Sequence, residues 1–413
     1  MATLPNLPAA RSLDSGEARS AAMMSRQLIF FICSFLAATG LASAQTVVRM
    51  LDGSGDGNHI LNRPWGVAVD KAGTVYVSAI STDNVFAVDT SRAISQIIDP
   101  SAPLDVALDL AVGSNGGVYV TGFQTDNAFE ITRDGLVTEI IDFSGDRTGN
   151  LLSGPVGIAV DALGNVYLAG NESDNVFKIA PGGAIKQILG AAGDGAGHTL
   201  DGPYDIAVHP SGKVYVTGQF SNNVFEISPL GGITEIIDFT GDGTHELLAP
   251  MGVAVAASGN VYVTGNETGN GFRITPAGTI TQFIDQSGDG SGNVLLRPLG
   301  IDLDAAESVF VPGQISANVF RVTTAGEITE IIDGTGGGLG PFAGPSDVAV
   351  DRKGNVFVTG TFTDNVFRIA HAAQAPQPTS FPPHRVGLPG WLGISSRWLR
   401  EGGVAPAQSR LEE

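Results

Sequence analysis

One cysteine, Cys33, stands in 413 residues, so no disulfide can staple the chain to itself and no multi-thiolate zinc site can form. Charge is scarce too. Only 15% of residues are charged, and 22 Lys and Arg face 42 Asp and Glu, for a formal net charge of -20. Phosphate recognition needs clustered Lys and Arg, which this chain lacks; nucleic acid is excluded as a partner, and cations or basic partners are favoured. No Ser-His-Asp elbow or mononucleotide loop occurs, and the GDG stretches lead into strands rather than a helix whose N–H dipoles would hold a phosphate. The longest apolar run, LIFFICSF at residues 28–35, is too short to span a membrane.

That run instead has the marks of an export leader. Arg26 precedes it, and the small residues Ala42-Ser43-Ala44 end it, so cleavage is expected before Gln45, with Met23 or Met24 as the natural start. Residues 1–44 are therefore assigned to a leader and the mature chain to a secreted or periplasmic compartment. Cleavage removes Cys33 and leaves 19 basic against 40 acidic residues, so core packing alone must hold the fold.

What the chain has in quantity is glycine, 56 residues of it, which favours many short strands joined by tight turns. It also has repeats. The phenylalanines of NVF and its variants, Phe86, Phe129, Phe177, Phe225, Phe272, Phe320 and Phe367, recur at spacings of 43, 48, 48, 47, 48 and 47 residues. One unit, GPVGIAVDALGNVYLAGNESDNVFKIAPGGAIKQIL, holds four β-forming runs separated by turn residues. Seven four-stranded meanders predict an all-β, seven-bladed β-propeller over residues 45–371. The seventh unit lacks an outer strand after NVFRIA, and the mature N-terminus offers an orphan, TVVRMLD; the strand near Val47 to Met50 is expected to pair with that near Val366 to Ile369 and close the ring. Residues 372–413 are proline-rich and leave the repeat, which predicts a disordered tail.

Phrases such as GDGTHELLAPMGVAVAASGNVYVTG and NVFEISPLGGITEIID resemble NHL-type repeats, and they are similar to the repeats of streptogramin (virginiamycin B) lyases. The resemblance covers roughly residues 46–370. It implies a seven-bladed propeller and, from relatives of that kind, either ligand binding or metal-dependent lyase or lactonase chemistry. Val-Phe-x-[IV] stands where NHL repeats carry His-Arg-[IV], and Tyr-Val-Thr-Gly, as at 215–218, where the lyases carry Trp-Phe-Thr-Glu. The lyase catalytic His and Glu have no matching positions here.

Candidate site residues follow from where a propeller gathers its loops. The turns FQTD, NESD, QFSN, NETG and QISA put Gln124, Asn171, Gln219, Asn266 and Gln314 on the face around the channel mouth, as candidate ligand contacts. The position before the [IV]-A-[VL] run reads Gly66, Asp105, Gly157, Asp205, Gly252, Gly300 and Asp347. Asp105, Asp205 and Asp347 are thus expected near the mouth, either holding a ligand or metal or bonding backbone N–H groups. Glu172 and Glu267 with His198 and His245 are the acid–base candidates on the same face. The loops pair Asp52 with Asp56, Asp238 with Asp242 and Asp285 with Asp289 in D-x-[ST]-G-D-G, the first half of a calcium loop, so calcium or magnesium are the candidate cofactors. Leu296 stands where such a loop needs its bidentate Glu, which favours a blade-joining turn. The reading is an exported, monomeric, non-enzymatic propeller that binds a protein, glycan or small molecule. The alternative is a metal-dependent lyase or lactonase.

Overall fold

The computed structural model describes residues 45–98 and 102–370; the expected leader and proline-rich tail lie outside them. Seven four-stranded antiparallel sheets form a ring. Blade 1 runs from β2 (Pro64–Val69) to β5 (Ile94–Ile98), blade 2 from β6 (Ala107–Val112) to β9 (Val137–Ile141), and blade 3 from β10 (Pro155–Val160) to β13 (Ile185–Leu189). Blade 4 runs from β14 (Pro203–Val208) to β17 (Ile233–Ile237), blade 5 from β18 (Pro250–Val255) to β21 (Ile280–Ile284), and blade 6 from β22 (Asp302–Leu303) to β25 (Ile328–Ile332). Blade 7 joins β26 (Pro345–Val350), β27 (Val356–Gly360) and β28 (Asn365–Ile369) to the N-terminal β1 (Val47–Leu51). Val47 pairs with Ile369, Val48 with Arg368, Arg49 with Phe367 and Leu51 with Val366, as the orphan strand predicted.

Both faces of each sheet are buried because the core is divided into wedges between neighbouring blades. One wedge packs Tyr167, Val176 and Leu189 of blade 3 against Val214, Val216 and Phe225 of blade 4, and comparable clusters recur around the ring. The NVF phenylalanines sit in these wedges, each 3% exposed or less. Truncating one to alanine costs about 3–5 kcal/mol in such surroundings. This is why the same ring recurs in every unit: each blade must fill the same gap.

The inner strands stand side by side around a central channel. They start at the upper face, together with the turns between second and third strands and the long loops between blades; their far ends reach the lower face. Most carry a β-bulge at their start, as between Pro155 and Ile158 or Pro203 and Ile206. The bulge frees a backbone N–H, which the hydroxyl of the recurring Thr-Gly pair accepts: Thr217 Oγ1 takes Asp205 N–H at 2.9 Å and Thr264 Oγ1 takes Gly252 N–H at 3.1 Å. The same hydroxyls can donate onward to the next blade, Thr121 to Val156 O at 3.0 Å and Thr359 to Trp65 O at 3.0 Å. In blade 6 Pro312 has no hydroxyl. Gly300 N–H bonds Ser346 O across the blade boundary instead, at 3.1 Å, and β22 is only two residues long.

Candidate functional site

Two layers define the upper end of the channel. The outer layer is the residue before the Gly or Asp position, and it varies around the ring, with only leucine occurring twice: Trp65, Leu108, Val156, Tyr204, Met251, Leu299 and Ser346. Together they form a collar that is mostly apolar. Below it come the Gly and Asp residues. A Cβ on Gly157 would lie 2.5 Å from Tyr204 O, and one on Gly252 the same distance from Leu299 O, so the backbones approach there too closely for any side chain.

The structure corrects one aspartate of this layer. Asp109, not Asp105, occupies the position in blade 2, where the inner strand reads ALDLAV; Asp105 lies exposed in the lead-in. Blade 2 has a shortened link before it, so counting from its proline places the wrong acid in register. Asp205 and Asp347 are where they were expected. A fourth acid, Asp302, went unrecognised because it replaces the alanine of the [IV]-A-[VL] run, one pleat deeper in the channel.

All four carboxylates make the same clasp. One oxygen accepts the N–H of the following residue, and the other accepts an N–H from the next blade's inner strand. Asp109 takes Leu110 at 2.7 Å and Ile158 at 2.9 Å; Asp205 takes Ile206 at 2.7 Å and Val253 at 2.8 Å. Asp347 takes Val348 and Val67, each at 2.8 Å, and Asp302 takes Leu303 at 2.8 Å and Val350 at 2.7 Å. The lumen touches these side chains, but protein surrounds them on every other side, and that desolvation disfavours the charged form. It pushes Asp205 and Asp302 up to about 6 and Asp347 to about 7. Burial, with the charges of Asp347 and Asp205, also raises Asp109. The backbone-bonding role weighed for these acids is what the structure shows, and it ties blade to blade.

The acid–base candidates do not come together. Glu172 and Glu267 are exposed in their turns, and Glu172 Oε2 accepts the Ser153 hydroxyl at 3.1 Å. His198 bonds Asp194 at 2.7 Å and lies 3.6 Å from Glu235, in the middle of outer strand β17, away from the channel. Asp194 and the Glu235 charge raise its pKa. His245 bonds Asp242 at 3.1 Å in the same kind of loop.

The GDG loops bind themselves. Asp52 accepts both the backbone N–H and the hydroxyl of Ser54, at 3.1 and 2.6 Å; Asp238 does the same with Thr240 at 2.9 and 2.5 Å. Asp285 holds Ser287 N–H at 2.8 Å, and Asp289 holds Ser291 N–H and the Asn293 amide at 2.9 and 2.8 Å. Asp56 grips His59, whose ring, with neighbouring backbone N–H groups, depresses the Asp56 carboxyl to about 2. The glycine before the second Asp is required by shape: Gly193 has φ 62°, and a Cβ there would lie 1.7 Å from His198 O and 3.1 Å from the tip of Phe225. The loop thus seals the NVF ring of the blade it introduces. Among the described residues no three His, Cys, Asp or Glu side chains gather as a metal-ligand set, so the donors present do not fit a calcium or magnesium cage.

The turn amides divide by register. Asn171 and Asn266 donate to Pro203 O and Pro298 O of the next blade, at 3.1 and 2.9 Å, and so serve as clasps. Gln219 and Gln314 share that position and are half-buried. Gln124 sits one residue further on, exposed; Phe123 takes the expected place in its blade. Sequence reasoning also missed the apolar content of this face. Among the described residues twelve large hydrophobics stand exposed, and nine of them lie on upper-face turns and loops, including Phe143, Phe220, Phe239, Ile315 and Phe362; Leu136, Leu163 and Leu230 lie below.

Comparison with solved structures places this architecture. Over 79% of the chain it superposes on streptogramin B lyase, covering 97% of that chain with a TM-score of 0.64 at 16% identity. The chain shares the fold of streptogramin B lyase. The catalytically inactive virginiamycin B lyase from Staphylococcus aureus, solved with quinupristin, is matched over its whole length with a TM-score of 0.63, again at 16% identity. Hydrazine synthase from Kuenenia stuttgartiensis matches over 76% of this chain and 96% of that one, with a TM-score of 0.59 and 16% identity. No family model matches the sequence, and no curated protein does. At this identity the lyase likeness describes the ring and its seven blades; the chemistry of the upper face has to be read from its own residues.

Proposed function

We propose that this chain is an exported, monomeric binding propeller whose upper face docks a protein partner presenting apolar and basic groups. The observation that carries the reading is the distribution of exposed hydrophobics: among the described residues three quarters of them crowd one face, where a surface in water would otherwise scatter them. They are interleaved there with the exposed carboxylates of Asp105, Glu172, Asp201 and Glu267, and the whole chain is acidic, which favours a basic partner. The apolar run at 28–35 and the Ala-Ser-Ala that follows support export.

The test pairs two double variants. Phe220→Asp with Phe362→Asp charges the upper face, while Leu163→Asp with Leu230→Asp charges the lower one. Each is measured against ligands selected on the wild-type protein from a random peptide display and from a glycan array. Peptides carrying both Lys or Arg and large apolar residues should be retained, and the upper-face pair should weaken them at least ten-fold while the lower-face pair leaves them unchanged. Retained glycans without peptides would change the partner class. Turnover of quinupristin or of a sugar lactone, with magnesium supplied, would replace the binding reading by the lyase or lactonase one.

A further inference from the structure

On the upper face each blade ties the turn between its second and third strands to the lead-in of its own inner strand by two backbone hydrogen bonds. In blade 4 Gln219 N–H reaches Gly202 O at 2.9 Å and Phe220 N–H reaches Asp201 O at 3.1 Å; in blade 7 Thr361 and Phe362 reach Gly344 O and Ala343 O, each at 3.1 Å. Only in these two blades is the second turn residue a phenylalanine; Ser81, Gln124, Glu172, Glu267 and Ile315 hold the place elsewhere. Both phenylalanines face a glycine in the left-handed conformation, Gly202 at φ 59° and Gly344 at φ 64°, and the ring fills the room a side chain would take. A Cβ on Gly202 would lie 2.4 Å from a ring carbon of Phe220, and one on Gly344 2.5 Å from a ring carbon of Phe362. Each ring is thus propped against bare backbone with its other side open, Phe220 being 61% exposed and Phe362 57%.

The two platforms differ in charge. Asp201 pairs with Phe220 where blade 7 puts Ala343 beside Phe362, and Asp174 of blade 3 accepts Gly202 N–H at 2.8 Å where blade 6 offers Ala317. Two carboxylates therefore meet at the glycine that supports the Phe220 ring, and none stands at its counterpart. Among the described residues neither Asp174 nor Asp201 enters an ion pair, and the Asp201 carboxylate accepts no hydrogen bond. The arginines of the upper loops and lead-ins, Arg63, Arg147 and Arg297, belong to other blades. An open aromatic ring beside unmatched carboxylates is complementary to a cation from outside.

Within the docking role proposed for the upper face, on which this assignment rests, we propose that Phe220 and Asp201 seat an arginine side chain of the partner, while Phe362 takes an apolar one. The guanidinium plane stacks on the open side of the Phe220 ring, and its N–H groups reach the Asp201 carboxylate. Arginine suits the seat better than lysine, because its charge is spread over a weakly hydrated plane that stacks and donates in two directions at once. A metal ion is a poorer occupant, since an aromatic ring and two carboxylates, one of them already holding a backbone N–H, do not make an oxygen cage.

The test is nuclear magnetic resonance on the intact chain with isotope-labelled phenylalanine rings, titrated with N-acetylarginine amide, N-acetyllysine amide and N-acetylcitrulline amide. Phe220→Leu and Phe362→Leu identify the two signals. The arginine amide should move the Phe220 signal saturably, the lysine amide should bind more weakly by about three-fold or more, and the citrulline amide, of the same shape without the charge, should leave it in place. Asp201→Asn should weaken the arginine amide by about three-fold or more, and the wild-type contrast between arginine and citrulline decides the matter if that variant misfolds. The Phe362 signal should show no preference for arginine over citrulline. An equal response of Phe220 to arginine and citrulline, no response at all, or saturation by methyl β-glucoside instead would overturn the seat. The probes need no selected partner, so the two proposals fail separately. Arginine binding without retained peptides would leave the seat and remove the docking role; retained peptides without arginine preference would do the reverse.

Discussion

At the residue scale the channel acids make the protein's response to pH unusual. Asp205, Asp302 and Asp347 have folded-state pKa values of about 6, 6 and 7, above the ordinary 3.8. The native state therefore binds more protons than the unfolded chain across the interval between, and stability falls as pH rises through 6 and 7. Asp56 and Asp146 run the other way: side-chain bonds from His59 and Asn150 hold each near 2, so their contribution is lost as pH falls below about 4. Urea unfolding should place the stability maximum between roughly pH 4 and 6; a midpoint higher at pH 8 than at pH 5 would contradict the burial of the ring. A second residue carries a separate clasp. Asp174, with φ 51°, accepts Gly202 N–H of the next blade at 2.8 Å, and Asp174→Ala should cost about 1–3 kcal/mol by leaving that donor unpaired. These acids were only partly legible in sequence. Asp205 and Asp347 showed themselves because they broke a recurring glycine, but Asp109 was hidden by a shortened link, and Asp302 occupied what reads as a core position. The collar of Trp65 and Tyr204 was invisible for the opposite reason: repeat analysis highlights what recurs, and the collar is the place where the blades vary most.

At the element scale the loops and the closing strand behave differently. The GDG loops read in sequence as half of a calcium cage, and in the structure their carboxylates are spent on their own Ser, Thr, Asn and His neighbours. A chelator should accordingly shift the melting temperature by less than about 1 °C, whereas loss of a metal that stabilises by mass action would shift it by several degrees. A larger shift on adding EDTA, restored by calcium, would reinstate the metal reading. The closing strand was legible because the seventh unit lacked its fourth strand and the N-terminus had one to spare. Deleting residues 45–51 would expose the edge of β28 from Asn365 to Ile369 along its length. Unpaired edges recruit other strands, so on size-exclusion chromatography the truncated chain should shift toward dimers or larger species relative to the full chain.

For the molecule as a whole, the seven-fold repeat made the architecture readable from phenylalanine spacing alone, since only a closed ring gives every blade two neighbours. That closure brings the two ends of the described chain together on the lower face, where Ala370 N–H bonds Thr46 O at 2.9 Å. A circular permutant that joins them through a short Gly-Ser linker and opens instead at Gly182–Gly183, a turn with open space around it, should fold to the same propeller with unchanged far-ultraviolet circular dichroism. Failure to fold would mean that the N-terminal strand does more than complete a sheet. The strand also fixes an order of events in synthesis. Val47 is among the first residues of the ring to be made, and its partner Ile369 is among the last. The opening segment must therefore remain unpaired until almost the whole chain exists, which makes closure a late and slow step. Once made, the ring has no terminal blade from which to fray, so unfolding has to break the circle in one concerted event, and persistence against proteases becomes a matter of that barrier's height more than of the equilibrium stability.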